Sequence, residues 1–520
     1  MTLQREASTG TKIAKAAGIV LLMNLLSRVL GFVRDAVIAR EFGASGATDA
    51  YLVAYTLPYA LQAVLGMAFI SVIVPIITAY LVKDDRTEAW RAMSIIFNWT
   101  VVILMGITIL GMVLAPWLIK LLAPGFARET FDLTVSLTRI IFPSIVFMGA
   151  GMLATGVLNA NGVFGVPAFA PAFANIIVIL SVLIFAGQYM VHGLAAGTLV
   201  AFMGFLIIQL PYLQKIGFEW KWDWDKAHPA VKKAGATIFP ITLAIAINQI
   251  YLAVNRIFAS GLEPGSITAL DFAYRLMTLP LGIFVAAIAT AIFPAFSRYA
   301  ANNDKEGLAK SLMTGMALVS LIAIPSAAGL MVIREPLIQV VFERGAFDAY
   351  ATERTAAALW YFSMGLWAVG ANTVVTRAYY ALNMVRVPLI LGLFCAMLNV
   401  LFSIALMPIF GHGGLALANS LSAIVNIILL LAVFRRYLSS LDAVQLMIPL
   451  VKALAAAAAM AVVLTAAMPY AREVLNITGF FGLVIELSIM VGVGCLIYTA
   501  MLFVLKTKEL ALIKRMLKRA

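Results

Sequence analysis

Charged residues make up only 12% of this 520-residue chain, against roughly a quarter in soluble globular proteins. Hydrophobic residues make up 63%, and the mean hydropathy is +1.01. A water-soluble core of that size needs a polar surface the sequence does not have, which excludes the soluble enzyme classes. Cysteine is nearly absent. Cys395 and Cys495 both lie in apolar runs, so they form neither a disulfide framework nor a thiolate metal site. The three histidines, His192, His228 and His412, all stand near predicted loops, which argues against a histidine proton relay within the membrane. Catalytic motifs are missing as well: there is no G-x-x-x-x-G-K-[ST] loop, no metal-ligand cluster and no Ser/His/Asp arrangement. The longest stretch outside the apolar runs, about 215–235, is too short for an enzyme domain, and any transport by such a chain would have to draw on a gradient. A cleavable signal pattern is lacking too. The first apolar run contains Arg28, Arg34 and Asp35 with no small-residue cleavage site, so it is expected to persist as a helix.

What is present is a succession of long uncharged runs, such as 101–119 and 451–468, of bilayer-crossing length. Gly, Pro and charge punctuation divides the chain into fourteen spans, approximately 14–40, 48–80, 90–122, 131–157, 163–186, 190–214, 236–260, 267–297, 308–333, 353–382, 387–408, 412–434, 447–468 and 478–505. Lipid admits only helices or closed barrels, and continuous rather than alternating apolar runs select helices. The expected fold class is an all-α polytopic membrane protein.

The net charge is +13. Of the 37 Lys and Arg, 25 fall at the two ends and in the even-numbered loops, and 7 in the odd-numbered loops. That asymmetry puts both termini in the cytoplasm. The basic C-terminal run of Lys506, Lys508, Lys514, Arg515, Lys518 and Arg519 reads as an anchor at anionic lipid headgroups rather than a nucleic-acid site.

The chain also repeats itself. At an offset of 222, Arg34 falls on Arg256, Glu41 on Glu263, Gly43 on Gly265, Asp49 on Asp271, and Thr56-Leu57-Pro58 on Thr278-Leu279-Pro280. At an offset of 221, Val166-Pro167 falls on Val387-Pro388, Phe173 on Phe394, and Gly193-Leu194-Ala195 on Gly414-Leu415-Ala416. Each copy holds six spans, an even number, so the two are parallel repeats, as in transporters whose bundles rock about a central site. The expected organisation is an N-lobe at 1–214, a basic cytoplasmic linker at 215–235, a C-lobe at 236–436, and two added helices with a basic tail at 437–520.

Ionisable residues inside spans cost about 2.5–3.5 kcal/mol each on insertion scales and face a cavity or a partner. Here they are Arg28, Arg34, Arg139, Arg256 and Arg275, with the acids Asp35, Asp49, Asp271 and Glu486. Five arginines without a lysine or histidine favour a phosphate or diphosphate cargo head, since guanidinium stays charged when desolvated and offers a planar fork to phosphate oxygens. A structural reading stands beside this one. Arg34 can pair locally with Asp35, and Arg256 can bridge to Asp271 or Asp49, a duplicated pattern that suits scaffold. Arg28 and Arg275 map onto Ile250 and Val53, have no repeat counterpart, and are expected to contact cargo. Arg139 precedes Phe142-Pro143, where it either satisfies a carbonyl freed by proline or faces the cargo. For Glu486, helix packing and groove lining both remain open.

The stretch Ser27-Arg28-Val29-Leu30-Gly31-Phe32-Val33-Arg34-Asp35, followed by Phe42-Gly43 and Thr48-Asp49-Ala50-Tyr51, closely resembles the helix 1–2 signature of the MurJ (MviN) family. Asn255-Arg256-Ile257-Phe258-Ala259-Ser260, Tyr274-Arg275-Leu276-Met277 and Phe342-Glu343-Arg344-Gly345-Ala346-Phe347 extend the resemblance. These are bacterial lipid II flippases of the MOP exporter superfamily. The resemblance implies a multi-pass protein of the cytoplasmic membrane. It would act as a monomer by alternating access, with the undecaprenyl-diphosphate-linked precursor as cargo. Membrane lipids and cell-wall synthesis proteins are its further expected partners. The family's cavity arginines match Arg28, Arg34 and Arg275, its helix 2 aspartate matches Asp49, and its added helices form a groove for the polyprenyl tail. Two departures stand out. The charged helix 2 motif of many members is replaced by Leu61-Gln62-Ala63-Val64-Leu65-Gly66-Met67-Ala68-Phe69, leaving Arg139 or Gln62 to compensate. Some members bind sodium through two aspartates; the matching positions here are Asn255 and Ser403, beside Asn399 and Asn419. With both carboxylates gone, membrane potential or the precursor gradient is the simpler drive. A flippase for another lipid-linked glycan and a multidrug exporter of the same superfamily are the alternatives.

Overall fold

The computed structural model describes residues 2–438, 443–475 and 479–507, which are almost entirely helical and contain no strand. Most of the basic C-terminal run, from Lys508 onward, lies outside the described residues. The chain forms two compact units.

The first unit comprises residues 1–265 with 345–347. Its helices are α1 (Thr2–Phe42), α2 (Gly46–Leu81), α3 (Arg86–Leu122), α4 (Arg128–Ile141), α5 (Ser144–Ala160), α6 (Gly165–Ile207), α7 (Leu210–Lys215) and α8 (Pro229–Ala259). Side-chain caps set several starts. Ser45 accepts from the amide of Thr48 at the head of α2, and Asp85 accepts from the amide of Glu88 at the head of α3. His228 caps α8, with Pro229 at the first helical position, where its missing N–H costs nothing. α1 packs along α6, and α2 packs against α4, α5 and α8. Ile73, Ile77, Met93, Ile145 and Leu153 are fully buried in the core.

The second unit comprises residues 266–344 and 348–520. It holds α9 (Ser266–Pro280), α10 (Ala286–Ala301), α11 (Lys305–Val332), α12 (Arg334–Val341), α13 (Ala349–Met364), α14 (Leu366–Ala381), α15 (Arg386–Phe410), α16 (His412–Tyr437), α17 (Ala443–Leu475) and α18 (Gly479–Val504). A π-helical turn, Leu281–Val285, follows Pro280, whose ring supplies no amide to the ladder. Buried Ala453, Ala456 and Ala457 let α17 approach α11 closely, the small-residue contact of membrane helices.

Ten helical stretches among the described residues are long and apolar enough to cross a membrane. They cover spans 2–4, 8, 9 and 11–14, with spans 5 and 6 joined in one stretch, Gly165–Lys215. Span 1 lies within α1 and span 7 within α8, while span 10 is divided at Gly365 into α13 and α14, of 16 residues each. The repeat persists in the backbone. Spans 5 and 6 meet at Met190 with φ 48° and ψ −136°, and spans 11 and 12 meet at Gly411, 221 residues later, with φ 55° and ψ −133°. Packing and repeat divide the chain at different places. Although α8 begins the second repeat, it packs on α2 and α3, so the first unit runs to Gly265 rather than ending before 236.

Candidate functional site

In the first unit, α1 carries two arginines held in opposite ways. Arg34 donates from Nε and Nη2 to Asp35 Oδ1 at 3.0 and 2.8 Å, and from Nη1 to Asn175 Oδ1 at 3.0 Å. Asn175 in turn donates to the carbonyl of Ser27 at 3.1 Å, which ties α6 to α1. Asp35 is buried, so the network neutralises a carboxylate that the apolar surroundings would otherwise penalise. Arg28, six residues earlier, is exposed and makes no hydrogen bond or ion pair among the described residues. Gln62 is half-buried on α2, and Arg256 is buried near the end of α8.

Arg139 is exposed on α4 and donates from Nε to the carbonyl of Met112 at 3.2 Å. That carbonyl is the one left without a helical donor by Pro116, four residues on in α3. The arginine therefore serves a proline-freed carbonyl, though the proline is Pro116 rather than the neighbouring Pro143.

Asp49 sits buried in the first turn of α2, within a clasp of loops. Its Oδ2 accepts from the amide of Gly265 at 2.7 Å, and the amide of Ala346 donates to the carbonyl of Arg40 at 2.7 Å. The amide of Gly125 donates to Ser260 Oγ at 3.1 Å. Gly43 and Gly265 both hold positive φ, and a Cβ at either would collide with a carbonyl oxygen, of Ala346 and Ala44 respectively. The clasp thus joins segments of both sequence repeats inside one packing unit.

In the second unit, Asp271 and Arg275 pair one turn apart on α9, Nε to Oδ2 at 2.7 Å. Both remain partly accessible to solvent. Between α11, α14, α16 and α17 lies an almost wholly apolar cavity of about 430 Å³, lined by Ala328, Met331, Trp367, Ile424, Leu454 and Ala458 among others. Glu486 is buried on α18. Asn399 and Ser403, one turn apart on α15, are completely buried, and Asn399 Oδ1 and Nδ2 and Ser403 Oγ have no hydrogen-bond partner among the described residues. Asn419 is half-buried on α16, whereas Asn255 lies on α8 in the first unit.

Three polar residues were missed from sequence. Asn175 lies 141 positions from its partner Arg34, too far for a local pattern to signal. Arg354, counted with the loops, is buried one turn inside α13, bonded to Ser266 Oγ, while its carbonyl accepts from His412 Nε2 at 2.8 Å. The cap at Asp348 was the available signal, since it starts the helix at Ala349. His228 stands at the loop end that caps α8, where the sequence places it, but it is buried, with Nε2 2.9 Å from Glu88 Oε1.

The profile of the family described as "Lipid II flippase MurJ" matches residues 38–486. The "Probable lipid II flippase MurJ" of Vibrio cholerae is 32% identical over 437 residues, covering 82% of this chain and 83% of that protein. The "Lipid II flippase MurJ" of Burkholderia cenocepacia is 32% identical over 424 residues, covering 79% and 82%. In fold, the chain is similar to a structure described as "Lipid II flippase MurJ, inward closed conformation", with a TM-score of 0.76 at 24% identity over 93% of this chain and 97% of that one. An inward-facing multidrug MATE transporter of the MOP superfamily aligns with a TM-score of 0.67 at 15% identity, over 82% and 98%. A charged residue set carried on apolar helices, in a duplicated fold shared with transporters, thus meets a sequence match across most of its length: the chain belongs to the MurJ family of lipid II flippases, transporters rather than enzymes.

Proposed function

We propose that this chain moves lipid II from the inner to the outer leaflet of the cytoplasmic membrane by alternating access, with both termini in the cytoplasm. Arg28 carries the reading. A guanidinium on an apolar helix, exposed and without a protein partner among the described residues, has its full set of donors available for phosphate oxygens. Arg34 and Arg275 add charge-assisted donors from positions held by Asp35 and Asp271. Arg139, which engages the Met112 carbonyl through Nε, or the neutral donor Gln62 takes the place of the charged helix 2 motif. The apolar cavity against α17 suits a polyprenyl chain, since it offers almost no polar group to be left unpaired.

The buried Asn399 and Ser403 fit a monovalent cation as neutral oxygen donors without partners among the described residues, with Asn419 on the following helix. A sodium ion there would couple the second unit to an ion gradient.

The test is transfer by the purified full chain in proteoliposomes, with lipid II compared against a teichoic or capsular precursor bearing the same diphosphate–polyprenyl handle. Transfer of lipid II and not of the other glycan is expected. Equal transfer of both shifts the reading to a general glycan-lipid flippase, and transfer of neither overturns it.

A further inference from the structure

The transport reading leaves unused the end of the first unit that carries the basic loops 83–91 and 215–233. After α7 the chain runs as an extended strap, Phe218-Glu219-Trp220-Lys221-Trp222-Asp223-Trp224-Asp225, across the first turns of α3. Its backbone is fastened residue by residue. The amide of Lys221 donates to Ser94 Oγ at 2.9 Å, and Asn98 Nδ2 donates to the carbonyls of Lys221 and Asp223 at 3.2 and 2.9 Å. Trp220 Nε1 donates to Asn98 Oδ1 at 2.9 Å, and Arg91 Nε donates to Asp223 Oδ2 at 2.7 Å. That bond to Arg91 holds the Asp223 carboxyl below the usual carboxylate range.

So firm an attachment holds large apolar rings outward. Trp220, Trp222 and Trp224 stack edge to face at 5.1 and 5.4 Å, and Trp222 is 72% exposed. Beneath the strap is an apolar cavity of about 420 Å³, lined by Met93, Phe97, Val157, Leu206, Leu213 and Trp220 among others, with Gln214 its polar side chain. Lys215 and Lys221 each follow directly on a lining residue, Gln214 and Trp220, and neither is buried.

Exposed tryptophan with lysine at the end of membrane helices is the chemistry of the bilayer interface. We propose that the strap and this cavity form a binding site for a single anionic glycerophospholipid. One acyl chain occupies the cavity, the glycerol region lies against Trp220 and Trp222, and Lys215 and Lys221 take the phosphate. Arg91 engages Asp223 and Asp225, which leaves Glu219 as the strap acid opposing Lys215 and Lys221, and this balance selects an anionic lipid over a zwitterionic one. The apolar depth selects a lipid over a soluble acidic partner, which would leave the cavity unfilled.

The probe is phosphatidylglycerol against phosphatidylcholine, with lipid retained by the purified full chain counted by native mass spectrometry. One phosphatidylglycerol is expected to be retained with a preference of about tenfold or more, the size that two juxtamembrane lysines supply. The double variant Lys215→Glu/Lys221→Glu should abolish the preference, and Val157→Phe, which fills the cavity, should abolish retention. Equal retention of the two lipids by the wild type overturns the proposal. So does an undiminished preference in the double lysine variant, whose folding is checked by its melting curve. Retention unaltered by Val157→Phe in a folded protein removes the acyl chain from the cavity and overturns the site as drawn.

Discussion

The carboxylate of Asp49 accepts a hydrogen bond from the backbone amide of Gly265 at 2.7 Å, and both groups are buried. At the first turn of α2 the helix dipole favours the anion, while Gly265 presents its amide from a left-handed φ of +86°. The repeat maps Asp49 onto Asp271, yet Asp271 holds Arg275, so one duplicated acid serves two different contacts.

Asp49→Ala removes that acceptor from a buried amide and is expected to cost about 1–3 kcal/mol. Asp49→Asn keeps an oxygen and should cost less. Gly265→Ala strains φ and drives its Cβ into the carbonyl oxygen of Ala44, so it should destabilise comparably. Thermal unfolding in detergent measures all three; wild-type stability in Asp49→Ala would remove the clasp from the account.

Met190 offers the reverse experiment. It adopts the backbone that Gly411 adopts at the equivalent place, and only glycine reaches that region without a steric penalty. Its side chain is 66% exposed, so little packing is lost on replacement. Met190→Gly should stabilise the protein by about 1–2 kcal/mol, and Gly411→Met should destabilise it. A lower melting temperature for Met190→Gly would contradict the strained turn.

The helices, the duplication and the unusual charges were legible in the sequence because hydropathy, register and residue type are local properties. The partners of those charges were not. Arg139 stands three residues before Phe142-Pro143, yet it satisfies the carbonyl that Pro116 frees on another helix, a choice made by the packing of α3 against α4. Arg34 is held by adjacent Asp35, which spacing suggests, and by distant Asn175, which nothing local announces. The placement of α8 against α2 and α3 is likewise tertiary: its sequence repeats that of α1, but its neighbours differ.

Asn399 and Ser403 give the sodium proposal a readout independent of transport. Buried polar atoms without partners are costly, and an ion that binds only the folded state stabilises it by mass action. Exchanging choline for sodium should raise the melting temperature of the wild type. The shift should shrink in Ser403→Ala and vanish in Asn399→Leu, a variant that also relieves the unpaired amide and should be at least as stable without sodium. An identical shift in all three proteins would mean that sodium acts elsewhere.

Arg28 and Arg34 share a helix and a charge, so they separate cargo contact from scaffold. Arg28→Ala removes no intramolecular bond among the described residues, and its effect on stability should stay within about 0.5 kcal/mol. Transport and complementation of a flippase-depleted strain should nevertheless be lost. Arg34→Ala breaks two hydrogen bonds to buried Asp35 and one to Asn175, and should destabilise by more than about 1 kcal/mol. Adding Asp35→Asn to it should recover part of that loss, because the uncompensated charge is then gone. Arg275→Ala is expected to abolish complementation as well, and Arg275→Lys to restore it only in part, since an ammonium keeps the charge but loses the planar fork. Expression and melting curves distinguish lost transport from lost folding in every case. Normal growth supported by the Arg28→Ala/Arg275→Ala double variant would mean that the diphosphate is held by other groups, and the assignment of these arginines to the cargo would fall.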